Sequence, residues 1–247
     1  MKDLSWLKHE LIAHRGLHTI DGQVPENSLA AFQKAMDAGY AIELDVNVLK
    51  DGTVLAFHDP SFERLCRDKR LLREVDYEDM QDLYLLASDE RPPRLEDVVR
   101  LVAGKVPLLI ELKPFGDVLL MAENVMRIMK DYPGTFAIFS FHPKIVGWFK
   151  KHHPDVIRGQ ISESFAFDPR LSRVYRHLLR SMFFNRFTKP DFVSYSIRDL
   201  PNRYLDKAKK KGLTVISFAA QTQAEFDFVK THYDNVVFEF FKPVYQR

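Results

Sequence analysis

Short apolar runs recur along the chain, and stretches with a helical period separate them. Residues 11–13, 41–46, 54–57, 107–112, 136–139, 156–159, 192–195, 215–218 and 236–238 have the dense apolar or β-branched character of strands buried on both faces of a parallel sheet. The first helical pattern puts Leu29, Phe32 and Met36 on one face. Ser28 stands at its N-cap, and Gly39 closes it. Further helical patterns cover residues 95–103, 117–132, 143–152, 170–187, 201–211 and 223–231. Nine strand candidates for about eight places, alternating with helices, predict an α/β fold of the (β/α)8 TIM barrel type. A doubly wound open sheet is the rival arrangement. Residues 59–93 are charged and lack a clear strand, which predicts a small insertion after the third strand. With no repeat and no Gly/Ser linker, residues 1–247 read as a single domain.

Composition narrows the function classes. Hydrophobic residues make up 46% and charged residues 28%, as expected of a folded soluble protein. A net charge of +2 does not suggest nucleic-acid binding by the whole protein. A single cysteine, Cys66, excludes an intramolecular disulfide and any multi-cysteine metal site. The first residues carry Lys2, Asp3, Lys8, His9 and Glu10 and resemble no signal peptide, and no apolar run approaches membrane-span length. The expected location is cytoplasmic.

Chemistry concentrates at the ends of the apolar runs, where a barrel places its active site. The first run ends in His14-Arg15, and the third in His58-Asp59. The second contains Glu43 and Asp45, whose spacing of two sets both carboxylates on one strand face. The run "PLLIELK" carries Glu111 and Lys113 at the same spacing. An unpaired carboxylate inside an apolar strand is costly. Three of them ask for a divalent cation, and an all-oxygen set suits Mg²⁺ or Ca²⁺ better than zinc. Salt bridges to Arg15 and Lys113 are the alternative reading. Arg15 and Lys113 supply the positive charge a phosphate needs, and His14 and His58 can serve as general acid and base. Together these groups describe phosphodiester cleavage.

The motifs "AHRG", "PENS", "ELDVNVLKDGTVLAFHD" and "IELK", in that order and followed by "RPPRLEDVV", resemble the glycerophosphodiester phosphodiesterase family. The resemblance implies a TIM barrel with a small insertion after the third strand. It implies Glu43, Asp45 and Glu111 as ligands of Mg²⁺ or Ca²⁺, with His14 and His58 as the acid/base pair. Arg15 and Lys113 would contact phosphate, and Glu26 and Asn27 would help build the site floor. The activity implied is hydrolysis of glycerophosphodiesters to glycerol 3-phosphate and an alcohol. The glycerol 2-hydroxyl would attack phosphorus, and water would then open the cyclic intermediate. The chain departs from the family at Leu49, usually Thr, and in "SFAAQ" and "FEFFKP", where Phe218, Gln221 and Glu239 replace a different pattern. These departures keep two alternatives in view. One is a lysophospholipase D acting on lysophospholipids; the other is a catalytically inactive binding or scaffold barrel.

Segment 170–187, from Arg170 to Phe187, has five arginines and no acidic residue. Leu171, Val174, Tyr175, Leu178, Leu179, Met182, Phe183 and Phe187 follow a helical period, and most of the arginines fall on another face. This pattern predicts transient docking on an anionic membrane surface, at the inner face of the membrane. The competing expectation is an outer barrel helix that covers strands. His142 opens a helix and reads as a cap or surface residue.

Overall fold

The computed structural model describes residues 2–166, 168–169 and 171–245. In chain order the elements are α1 (Ser5–His9), β1 (Ile12–Ala13), α2 (Leu29–Asp37), β2 (Ala41–Val48), β3 (Val54–Ala56), α3 (Glu63–Cys66), α4 (Leu95–Val102), β4 (Leu108–Leu112) and α5 (Val118–Met129). They continue with β5 (Phe136–Ser140), α6 (Pro143–His152), β6 (Ile157–Ser162), α7 (Arg173–Arg180), α8 (Asn185–Thr188), β7 (Phe192–Ser196), α9 (Arg203–Lys210), β8 (Thr214–Ala220), α10 (Gln223–His232) and β9 (Asn235–Phe238). Eight parallel strands separated by helices form the predicted (β/α)8 barrel, and β3 lies outside the ring. The chain forms two compact units, Ile12–Phe136 and the residues up to Leu11 together with those from Ala137 on.

In the unit Ile12–Phe136, β2 is the central strand. It pairs in parallel with β1 and with β4, in a register that sets Asp45 beside Glu111. Every residue of β2 and β4 is buried. The Ser28 hydroxyl accepts a hydrogen bond from the Ala31 amide and starts α2, whose buried face is Ala31, Phe32 and Ala35.

The ninth strand candidate, residues 54–57, is not a barrel strand. Val54–Ala56 returns antiparallel against Val46–Val48. The cause is the connection, because only the tight Asp51-Gly52 turn separates the two runs. A parallel partner would need a crossover of a dozen or more residues. The insertion that follows has its own small core of Leu49, Leu55, Phe57, Phe62, Leu65, Leu72, Val75, Met80, Leu83 and Leu85. Leu49, the departure from the family's Thr, is buried in that cluster and supplies apolar area there.

In the second unit β5 to β9 pair consecutively and in parallel. The Asn235 amide donates to the carbonyls of Leu7 and Glu10 and ties α1 to β9. His142 is the N-cap of α6, its Nδ1 accepting from the Lys144 amide. Segment 170–187 is two helices rather than one. Met182 adopts φ +54°, which ends α7 and turns the chain into α8. Arg170 lies outside the described residues.

Candidate active site

Every residue singled out for chemistry lies in the unit Ile12–Phe136, on its strands or in the loops that follow them. β2 carries Glu43 and Asp45 on one face, each about 1% exposed. Glu111 comes from the neighbouring β4 and is also buried. One carboxylate oxygen from each of the three lies within 4.8 Å of the other two.

The residue after β4 brings the first cation. Lys113 is buried; its Nζ donates to Glu111 Oε1 at 2.6 Å and to Asp45 Oδ1 at 3.4 Å. The second cation comes from the turn after β1. There Arg15 and Gly16 both take left-handed φ values, +54° and +77°. Gly16 is required at its position, because a Cβ would meet the backbone carbon of Ala31 at 2.8 Å. The turn folds the Arg15 amide onto Glu43 Oε2 at 2.9 Å and the Arg15 Nε onto Asp45 Oδ2 at 3.1 Å. "HRG" and "PENS" meet here. The Asn27 amide donates to the Arg15 carbonyl, and Arg15 Nη1 donates to Glu26 Oε1 at 2.7 Å. Asn27, itself at φ +55°, exchanges two hydrogen bonds with Asp45 through its side chain.

Both readings of the carboxylates are therefore present at once. The salt bridges form, but they leave the charge unbalanced. Three carboxylates face two cations, and Arg15 is shared with Glu26. The imbalance falls on Glu43. Burial, with Asp45 and Glu111 beside it, pushes its carboxyl well above the ordinary range, although the Arg15 amide and guanidinium oppose this. Burial also resists ionisation of Asp45, but Lys113 and Arg15 overcome it and hold that group well below the usual carboxylate range. A cluster of oxygen donors with one negative charge in excess fits a hard divalent cation.

Both histidines lie close enough to this cluster to help lower the Asp45 carboxyl. His14 Nε2 is 3.9 Å from Glu43 Oε2. His58 follows β3, and its Nδ1 pairs with Asp59 Oδ1 at 2.7 Å. The Asp59 carboxyl is pushed down to about 2: its half-burial opposes this, and hydrogen bonds from His58 and Arg64 outweigh it.

Two residues of this site escaped the sequence reading. Asn47 is buried on β2, two positions beyond Asp45 and on the same face. Its Nδ2 lies 2.8 Å from the Phe57 carbonyl and 3.3 Å from those of His58 and Asp59, so it fixes the turn that presents His58. The strand alternation that marked Glu43 and Asp45 was the signal for it. Arg64, in α3, donates to Asp59 at 2.6 Å and to both oxygens of Glu26 at 2.7 and 2.8 Å. It joins the His58–Asp59 pair to the Glu26–Arg15 pair. Further along the chain, two of the departures from the family pattern meet each other, the Gln221 amide donating to Glu239 at 2.8 Å.

Comparisons with known proteins point to one family. The model of the family described as "Glycerophosphoryl diester phosphodiesterase family" matches residues 14–236. A "Glycerophosphodiester phosphodiesterase" of Caldanaerobacter subterraneus subsp. tengcongensis is 34% identical over 136 residues, covering 51% of this chain and 54% of the relative. "Glycerophosphodiester phosphodiesterase 1" of Rattus norvegicus is 25% identical over 258 residues, covering 90% of this chain and 74% of the relative. Among solved structures, an Oleispira antarctica phosphodiesterase in complex with the product sn-glycerol-3-phosphate superposes with a TM-score of 0.78 at 20% identity. It covers 96% of this chain and 94% of that one. At that identity the match speaks for the fold, and the fold is the TIM barrel.

Proposed function

Because the chain belongs to the glycerophosphoryl diester phosphodiesterase family, we propose that it is a metal-dependent hydrolase of glycerophosphodiesters that releases glycerol 3-phosphate and an alcohol. The observation that carries this reading is the buried trio Glu43, Asp45 and Glu111 beside Arg15 and Lys113. The trio would hold Mg²⁺ or Ca²⁺, which as a Lewis acid would withdraw charge from the phosphoryl group.

The remaining work falls to this chain's own side chains. Arg15 and Lys113 would bind the phosphate oxygens, with Glu26 and Asn27 fixing the guanidinium and the loop that carries it. One histidine of the pair His14 and His58 would take the proton from the glycerol 2-hydroxyl as it attacks phosphorus. The other would protonate the leaving alcohol. Water would then open the cyclic phosphate with the two roles reversed. The Asp59 carboxylate on His58 Nδ1 would hold one ring orientation and leave Nε2 for the proton transfer.

The test is hydrolysis of glycerophosphocholine and glycerophosphoethanolamine in Mg²⁺, in Ca²⁺ and in EDTA. The reading requires loss of turnover in EDTA, and loss of at least about 10²-fold in His14→Ala and His58→Ala. Full activity in EDTA would remove the metal from the proposal, and wild-type turnover in either histidine variant would remove that residue from the acid/base pair.

A second reading, lysophospholipid cleavage, has one observation of its own. Phe141 makes edge-on contacts with Phe165 and Phe218, at ring centroid separations of 6.1 and 5.9 Å, just beyond β5, beyond β6 and within β8. This apolar cluster suits an acyl chain. Side-by-side kinetics on glycerophosphocholine and lysophosphatidylcholine separate the two substrates. With either substrate we place the enzyme in the cytoplasm, in transient contact with an anionic membrane through segment 170–187. No helix among the described residues is long and apolar enough to cross a membrane.

A further inference from the structure

The surface around α7, α8 and α9 combines three properties. First, it is apolar where water reaches it. Val174 is 71% exposed, Phe187 58% and Tyr175 40%. Tyr175 touches Phe184, Phe184 touches Phe183, and Phe183 touches Phe187, so an aromatic run connects Tyr175 to Phe187. Second, a groove of about 450 Å³ opens beside that run, lined by Phe183, Arg186, Tyr204, Lys207, Lys211 and Leu213 among others. Third, the groove is cationic without counter-charge. Arg186 lies over the Phe183 ring at 4.1 Å, and Lys207 of α9 and Lys211 just beyond it also line the groove. Among the described residues, no acidic one lines it. The acids nearest in sequence are engaged elsewhere: Asp191 with Lys2 and the Arg158 amide, Asp199 with the Ser164 amide, and Asp206 with the Tyr233 hydroxyl.

We propose that this groove seats the phosphate of an anionic phospholipid headgroup, while Val174, Tyr175 and Phe187 enter the headgroup–acyl boundary. The inference deepens the membrane contact of the proposed function. A dissolved phosphate ion would satisfy the three cations but leave the adjoining apolar residues in water. A lipid surface satisfies both, because Arg and Lys keep their charge at the headgroup level while their stems lie along apolar neighbours. The structure also sorts the arginines of the segment. Arg176 donates to the carbonyls of Ala166, Asp168 and Leu171, so it holds the preceding loop and is not available to lipid. The cations that remain for lipid are Arg186, Lys207 and Lys211 in the groove, with Arg173 and Arg180 exposed at the two ends of α7.

The test is co-sedimentation at low ionic strength with vesicles of phosphatidylcholine alone and with vesicles that also contain phosphatidylglycerol. A basic residue at an anionic surface is worth roughly fivefold in partitioning, so the triple variant Arg186→Glu/Lys207→Glu/Lys211→Glu should bind the anionic vesicles about 10²-fold less well than wild type. The control Lys34→Glu/Lys105→Glu/Lys130→Glu changes net charge equally at exposed positions elsewhere and should stay within about threefold of wild type. If the triple variant does not fold by circular dichroism, Lys211→Glu alone should show the loss of about fivefold. Equal wild-type binding to the two vesicle types overturns the proposal. So does a control that loses as much as the groove variant, because binding would then follow net charge alone. The readout does not depend on catalysis. A chain that sediments as expected but hydrolyses no diester would refute the proposed reaction and leave the lipid seat standing.

Discussion

Glu43→Gln should stabilise the metal-free protein and abolish its response to divalent cations. The substitution keeps the shape of the side chain and its acceptor oxygen for the Arg15 amide, and it removes only the charge. Oxygens of Glu43, Asp45 and Glu111 lie within 4.8 Å of one another. At an effective dielectric constant near 20, two like charges at that distance repel by about 3 kcal/mol. Glu43 faces two such neighbours, and Arg15, already shared with Asp45 and Glu26, offsets about one of them. The net penalty in EDTA is therefore about 3 kcal/mol. For a chain of this size that corresponds to a melting temperature about 6–12 °C higher in Glu43→Gln. With Mg²⁺ or Ca²⁺ at a hundred times its dissociation constant, wild type should gain about 3 kcal/mol while the variant gains little. Differential scanning fluorimetry in EDTA and across a metal titration measures both quantities. A variant that melts below wild type in EDTA, or that keeps the full metal-induced shift, would refute the charge count on which the proposed metal site rests.

Two other perturbations probe the groups around His58. Arg64→Gln removes the donors that help hold the Asp59 carboxyl near 2. A depressed carboxyl stabilises the fold above its unfolded value, near 4, and loses that contribution as pH falls through its folded value. Arg64→Gln should therefore be less stable than wild type by about 1 kcal/mol at neutral pH, allowing for solvent screening of the exposed guanidinium, with the gap closing toward pH 2. Urea denaturation at several pH values reads this, and a gap that persists at pH 2 would place the effect elsewhere. Asn47→Ala removes the one side chain that gathers the Phe57, His58 and Asp59 carbonyls. It should lower kcat about tenfold through misplacement of His58 and leave KM within about threefold. A pure KM effect would show that Asn47 serves substrate binding instead.

Residues whose position alone makes them costly were the ones legible in the sequence. Glu43, Asp45 and Glu111 stand inside apolar runs, where an unpaired carboxylate carries a large desolvation cost. A reader of the chain can therefore ask what neutralises them before any contact is known. Asn47 obeys the same logic two positions along β2, and it was passed over because an amide carries no charge to explain. Direction is different in kind. The run 54–57 has the composition of a buried strand, and composition is the same whether the neighbour is parallel or antiparallel. Only the brevity of the Asp51-Gly52 connection decides it. Segment 170–187 fails for a related reason. Its apolar period continues through Met182, but period counts spacing and does not register the left-handed φ that breaks the helix there. Arg64 was beyond any such reading. In sequence it is one charged residue on a short helix of a charged insertion. Its partners are Asp59, five positions away, and Glu26, thirty-eight away, and only the closed fold brings the two together. The carboxylate trio could be read from local polarity, whereas the hydrogen-bond network that joins His58 to Arg15 through Asp59, Arg64 and Glu26 depends on an insertion whose path the sequence does not mark. Arg64→Gln and Glu43→Gln separate those two layers experimentally, the first acting on orientation and the second on charge.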